Sequence, residues 1–194
     1  MFREAGGYLI IVIIIVGLLL CVAYFFSNTH KKEIIKKLKS RMDKMVSMLS
    51  KTYPEETRVQ RLKARYIGRT EFFESIFDET YTLNKGEAVA MCLKDFSKDN
   101  SDDINSNTHD DMNLLTFVGL HEMAHIMSAS IDHKGDFWPN FKFLLENAVR
   151  WDLYKPIDYQ FNPTNYCKMV IYDNPYFYER TPQDFADRII KIIK

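Results

Sequence analysis

Residues 121–125 read His-Glu-Met-Ala-His, a spacing that a divalent metal can use. On a helix, residues i and i+4 share one face, so His121 and His125 can direct imidazole nitrogens at a single ion. Glu122 is turned by about 100° from His121, which sets its carboxylate beside the metal and not on it. A base in that position can take a proton from water activated at the metal. Zinc suits such an imidazole pair, at one ion per chain. The neighbouring residues add weight. Leu114, Leu115, Phe117, Val118, Leu120, Met123, Ala124, Ile126 and Met127 make the segment apolar on nearly every side, as a buried helix is. Two surface histidines on an ordinary amphipathic helix would not have such neighbours.

Two protein ligands rarely hold a catalytic zinc, so a third is required. His133 is the favoured candidate. It stands eight residues after His125, past the expected helix end, where a turn eased by Gly135 can bring it back. Glu146 is the alternative, on the next expected helix, and Asp132 is a weaker third option. If Glu146 does not bind metal, it is a solvated carboxylate or one that orients a ligand histidine.

His121–His125, then His-Lys-Gly-Asp-Phe-Trp at 133–138 and Asn-Phe-Lys-Phe-Leu-Leu at 140–145, resemble the SprT-like and WLM-type zincin metalloproteases. The resemblance extends upstream to Tyr81-Thr-Leu-Asn-Lys-Gly-Glu and Cys92-Leu-Lys-Asp. Downstream it reaches Asn165-Tyr-Cys and Asp173-Asn-Pro, covering roughly residues 66–178. It is similar above all to the small, membrane-anchored versions found in large DNA viruses. The resemblance implies a minimal zincin fold, zinc held by His121, His125 and His133, and Glu122 as the base. It also implies that substrate backbone pairs with an edge strand before the metal helix, by position Ala88–Leu93. Tyr159, Tyr166 and Tyr172 are unranked candidates for stabilising an oxyanion. The chain departs from the compact HExxHxxGxxH arrangement: its third histidine comes later, and Ser128 stands where that arrangement has glycine.

A second signal lies near the start. Residues 7–26 carry no charge. About twenty apolar residues match the ~30 Å hydrocarbon core of a bilayer. The run is longer than the apolar region of a signal peptide, and it ends Tyr-Phe-Phe-Ser-Asn-Thr-His with no small-residue cleavage site. The expectation is an uncleaved transmembrane anchor. Seven Lys/Arg follow it within residues 31–44 and only Arg3 precedes it. The positive-inside rule then puts the N-terminus outside and the C-terminal domain in the cytoplasm, and the viral resemblance implies a host or virion membrane. No Asn-x-Ser/Thr sequon with a permitted middle residue occurs, and Cys21, Cys92 and Cys167 are few and scattered. Cys92 and Cys167 read as small buried hydrophobes, not as ligands or a disulfide framework.

The expected organisation is an anchor over 1–29, a basic helical juxtamembrane stalk over 30–65, and a zincin-like domain over 66–194. The fold class is α+β: a minimal zincin-like domain of helices and a small mixed sheet behind an N-terminal transmembrane helix. Ile34, Ile35, Leu38, Met42, Met45 and Leu49 recur at helical spacing in the stalk. This stripe either packs on the domain or forms a short coiled coil and a dimer, and its three-heptad length favours packing. Strands fall over 71–96, with Asn84-Lys-Gly as a hairpin turn. Residues 96–111 read as a loop. The metal helix runs about 112–129, capped by Asp110 or Asp111, and a further helix runs about 136–152. The tail is irregular, with a short strand near 169–172 and a final helix opening at Thr181.

The zero net charge hides an asymmetry. Residues 31–65 hold twelve Lys/Arg and four Asp/Glu, whereas residues 66–194 hold thirteen and twenty-one. The basic stretch suits anionic lipid headgroups. The acidic part is a poor polyphosphate binder, which argues against nucleic acid as a partner. The function expected is zinc-dependent hydrolysis of a polypeptide substrate. Two rivals are a DNA–protein crosslink-type repair protease and a catalytically silent zinc-binding interaction module. The repair protease should carry a basic extension on its catalytic part. The silent module should have lost Glu122 or a ligand histidine.

Overall fold

The structure is a computed structural model that describes residues 2–66, 70–94 and 108–178, with side chains at 2–11, 23, 25–27 and 108–111 left out. The expected final helix and most of the 96–111 loop lie outside the described residues. The first element, α1 (Phe2–Thr52), is one continuous helix of 51 residues. Tyr53-Pro54 ends it, and α2 (Thr57–Tyr66) turns back alongside. A three-stranded sheet follows, made of β1 (Glu71–Glu74), β2 (Tyr81–Leu83) and β3 (Ala88–Met91). Next come α3 (Thr108–Met127), α4 (Phe137–Arg150), the hairpin β4 (Thr164–Tyr166) and β5 (Met169–Ile171), and a 3-10 turn over Pro175–Phe177.

The architecture is α+β. Strand order is β1-β3-β2, with β1 parallel to β3 (Phe72 opposite Val89) and β2 antiparallel to it (Thr82 opposite Val89). The β2–β3 turn follows its chemistry. Asn84 and Lys85 have φ of 44° and 57°, and Gly86 has φ of 116°. A Cβ on Gly86 would lie 2.9 Å from Ile126 Cγ2, so glycine is needed there for space as well as for conformation.

Helix α3 runs through the middle, packed on α1, α2, α4 and β2. It begins at Thr108, so Asp110 and Asp111 fall within its range and not before its start. The α1 stripe is part of the same core. Leu38, Met42, Met45 and Leu49 are fully buried in one cluster with Leu120, Met123, Phe137 and Phe141. The boundary expected at residue 65 therefore has no counterpart in the packing, and residues 30–65 are a wall of the domain, not a separate stalk. The buried stripe leaves no free seam for coiled-coil pairing. Part of the local cationic surplus is also tied into the fold. Lys31 pairs with Glu74, Arg41 donates to Thr116 Oγ1 (2.7 Å), and Arg61 pairs with Asp136.

Two expectations are corrected. Among the described residues, no helix is long and apolar enough to cross a membrane. The transmembrane anchor over 1–29, and the single-pass placement with a cytoplasmic C-terminal domain that rested on it, are withdrawn on that finding. The apolar run is the first part of the continuous helix α1. The second correction concerns the cysteines. Cys92 and Cys167 form a disulfide with a Cα–Cα distance of 6.6 Å across 75 residues of chain. On chain-entropy grounds a loop of that length stabilises by about 4 kcal/mol. Scattered cysteines had suggested none, because pairing over such a distance depends on the fold. Disulfides of this kind persist in oxidising surroundings, which also runs against the cytoplasmic placement.

Helices α1 and α3 approach closely at Gly119. A Cβ there would lie 3.2 Å from Met42 Sδ and 3.3 Å from Leu38 Cδ1. Gly119→Leu is expected to overpack this contact and to destabilise the chain by about 1–3 kcal/mol, read from denaturant unfolding.

Candidate metal centre

Three histidines converge at the end of α3. His121 and His125 are one turn apart on the helix, and His133 comes from the turn after it. Nε2 of His121 lies 3.3 Å from Nε2 of His125 and 3.0 Å from Nε2 of His133. All three ligand nitrogens fall within 4.8 Å of one another. Two nitrogens bound at 2.0–2.1 Å to a tetrahedral zinc stand about 3.3 Å apart, so the spacing fits that ion. The chemistry of the donors fits as well, because a ligand imidazole must be neutral. Burial pushes His121 well below its usual pKa, helped by the two other imidazoles. Burial and His133 bring His125 down to about 4, and burial also lowers His133.

An aromatic wall backs the cluster. The Phe137 ring centroid lies 4.4 Å from that of His125, 4.7 Å from His133 and 5.0 Å from His121, and Phe141 lies 5.2 Å from His121. Trp138 Nε1 donates to the His133 carbonyl (2.9 Å). Phe137 and Phe141 are four residues apart, so one face of α4 looks at the histidines. Glu146 follows Phe141 by five residues and is turned about 140° away from that face. Among the described residues the cluster is His121, His125 and His133. Glu146 and Asp132 are not members.

Glu122 is 4% exposed and accepts a 2.7 Å hydrogen bond from Thr82 Oγ1 on β2. Burial raises its carboxyl to about 7, and the Thr82 hydroxyl partly offsets this. A carboxyl with that value is suited to both taking and giving a proton near neutral pH.

The end of α3 is held by cations. Arg65 donates to the carbonyls of Ile126 (2.8 Å) and Ser128 (2.7 Å), and Arg61 donates to that of Met127 (2.9 Å). Ser128 is fully buried, its hydroxyl donating to the Ala124 carbonyl (2.7 Å) and accepting from Asn140 (2.9 Å). Sequence reasoning missed Thr82, Arg61 and Arg65. The arginines had a signal: they stand at i and i+4 on an amphipathic helix. Thr82 had none, since its role depends on which strand lies over α3.

The strand assignment changes too. Ala88–Met91 is buried throughout and paired on both sides, so it is the centre of the sheet and not its edge. Among the described residues, the strand with an open side next to Glu122 is β2. Of the tyrosines, Tyr166 donates to the Cys92 carbonyl (2.9 Å) and pairs with Thr80 Oγ1 (2.7 Å), which makes it structural. Tyr159 is buried against Phe117 at 5.0 Å, and Tyr172 is exposed.

Comparisons with known proteins add ancestry without a function. The chain is 35% identical over 92 residues to the uncharacterized protein R325 of Acanthamoeba polyphaga mimivirus, covering 47% of this chain and 43% of that one. It is 35% identical over 78 residues to the uncharacterized protein 042R of Invertebrate iridescent virus 3, covering 40% of this chain and 43% of that one. It is 36% identical over 92 residues to the uncharacterized protein 136R of Invertebrate iridescent virus 6, covering 46% of this chain and 45% of that one. The chain thus spans less than half the length of these relatives. No family model matches the chain, and no solved structure does.

Two outcomes are expected. Metal analysis of the purified chain should find one zinc. His121→Ala and His133→Ala should lower the affinity, and Glu146→Ala should leave it unchanged. The second concerns pH. Unfolding frees three histidines held below 6.5 in the folded chain, so between pH 6.5 and 4 the unfolded state binds the extra protons. Glu122, raised in the folded state, works in the opposite sense but is one group against three. The metal-free chain should therefore lose stability as pH falls from 6.5 towards 4. Denaturation midpoints in a chelator at pH 7.5, 6 and 5 would reveal a flat or opposite trend.

Proposed function

We propose that this chain is a zinc-dependent metallopeptidase that hydrolyses peptide bonds, related in mechanism to the SprT-like and WLM-type zincins its motifs resemble. The observation that carries the reading is the convergence of three neutral imidazoles next to one buried carboxyl. His121, His125 and His133 would hold the ion. Bound zinc supplies Lewis acidity, polarising water and the scissile carbonyl. Glu122 takes the proton of the attacking water and returns it to the leaving amine. Thr82 keeps one oxygen of Glu122 occupied and so fixes the direction of the other. Phe137 and Phe141 keep water from the far side of the ligand rings. Extended substrate backbone would lie along the open side of β2, where main-chain pairing is independent of side-chain identity.

A silent zinc-binding module would not need Glu122. Burying an ionisable carboxyl with a single side-chain donor costs stability, and the position would be served better by an apolar residue.

Glu122→Gln keeps the shape and cannot take the proton. It should retain zinc and its unfolding midpoint while hydrolysis of an unfolded, fluorescently labelled polypeptide falls by about 10²–10⁴. Turnover equal to that of the unmodified chain would remove the mechanism.

A further inference from the structure

His133 sits in a stretch that packing holds only at the His133 ring, against Phe137 and Trp138. Residues 131–135 are all exposed, and two of them, Asp132 (φ 59°) and Gly135 (φ 55°), have left-handed backbone. Fixing such a segment costs about 1–2 kcal/mol per residue in backbone entropy, and apolar burial outside the His133 ring offers little to offset it. The order comes largely from polar ties: Trp138 Nε1 holds the His133 carbonyl (2.9 Å), and most of the others meet at Asp136. One oxygen of Asp136 accepts from the Ser130 amide (3.1 Å) and the Ser130 hydroxyl (2.6 Å). The other accepts from the Ala129 amide (2.9 Å), Arg61 (3.3 Å) and Asn140 (3.3 Å).

Asp136 stands at the start of α4, yet it makes no side-chain cap to that helix. Its carboxylate points back across the turn to the residues that leave α3. It thus closes a loop whose two ends are Ala129–Ser130 and Asp136, with His133 near the middle. The Ser130 hydroxyl also lies 2.6 Å from the Lys134 carbonyl, its single proton serving one acceptor at a time, and Lys85 donates to the Ser130 carbonyl. Arg61 joins the clamp to the metal helix, since the same nitrogen reaches the Met127 carbonyl. Burial works against the charged form of Asp136, but Ser130 and the amides of Ala129 and Ser130 outweigh it and hold the carboxyl far below its usual range. The clamp therefore stays ionised throughout the neutral range.

We propose that Asp136, braced by Arg61, is a positioning residue that sets His133 in place as the third zinc ligand. This rests on the reading of the three histidines as a zinc centre. Asp136 is not a member of the histidine cluster. Its effect passes through the loop.

Zinc affinity by chelator competition on the full chain tests this, together with visible absorption after Co2+ loading. Asp136→Ala should weaken zinc binding about 10–100-fold, the range found for residues that orient a ligand. Its Co2+ spectrum should shift towards that of His133→Ala. The decisive measurement is the double variant. If Asp136 acts through His133, Asp136→Ala added to His133→Ala should cause no further loss. A purely structural role would give the same factor in both backgrounds. Ser130→Ala, which removes one hydroxyl donor, and Asp136→Asn, which keeps an acceptor oxygen, should give smaller losses in the same order. They carry the test if Asp136→Ala does not fold. Unchanged affinity in Asp136→Ala, or in both milder variants should they be needed, overturns the proposal, as does equal loss in the two backgrounds. If the unmodified chain binds no zinc, the reading of the centre itself fails, an outcome distinct from both.

Discussion

A helix that is apolar on nearly every side must be buried, and its last carbonyls must then find donors inside the protein. Much of this architecture answers that constraint on α3. Arg65 and Arg61, one turn apart on α2, reach Ile126, Met127 and Ser128. They can do so only if α2 lies against the end of α3. The turn at Tyr53-Pro54 then brings the second half of α1 down beside α3, where Gly119 makes room for Leu38 and Met42. The β2–β3 turn closes the same end, with Gly86 against Ile126. The place where the chain leaves α3 for His133 is thus fixed from several sides by protein contacts alone.

The centre itself combines two environments. The histidines face an aromatic wall and stay neutral, ready for a cation. Glu122 points away from that wall towards β2, where one hydroxyl meets it. The side chain is therefore oriented without being neutralised by an ion pair. A basic partner in place of Thr82 would hold the carboxyl ionised and make it a poorer proton acceptor. The fold keeps its arginines at the helix end and off this carboxyl.

What could be read from the sequence followed the range of each signal. Helical spacing identified His121, His125 and Glu122, and the turn chemistry of Asn84-Lys-Gly located the β2–β3 hairpin. His133 could be named because it follows a helix end closely, and the structure brings it to the other two while turning Glu146 away. Features set by distant partners were invisible. That β3 is central depends on which strands flank it. The burial of Leu38 and Met42 depends on Gly119, some eighty residues later. Asp136 looks like an ordinary helix cap, and nothing local shows that its carboxylate faces backwards. The Cys92–Cys167 bond joins two unremarkable residues. The apolar run near the start was read from hydropathy alone, and among the described residues no helix is long and apolar enough to cross a membrane.

The disulfide has a topological consequence. Residues 92–167 form a covalent ring that holds α3, α4, Glu122 and all three histidines. A single backbone cut anywhere inside the ring would not release a fragment. Both pieces would remain joined through sulfur, with the core packed around them, and the nicked protein would come apart only on reduction and unfolding. For a chain proposed to cleave peptide bonds, and so exposed to cleavage by its own copies, the ring separates damage to the backbone from loss of the centre.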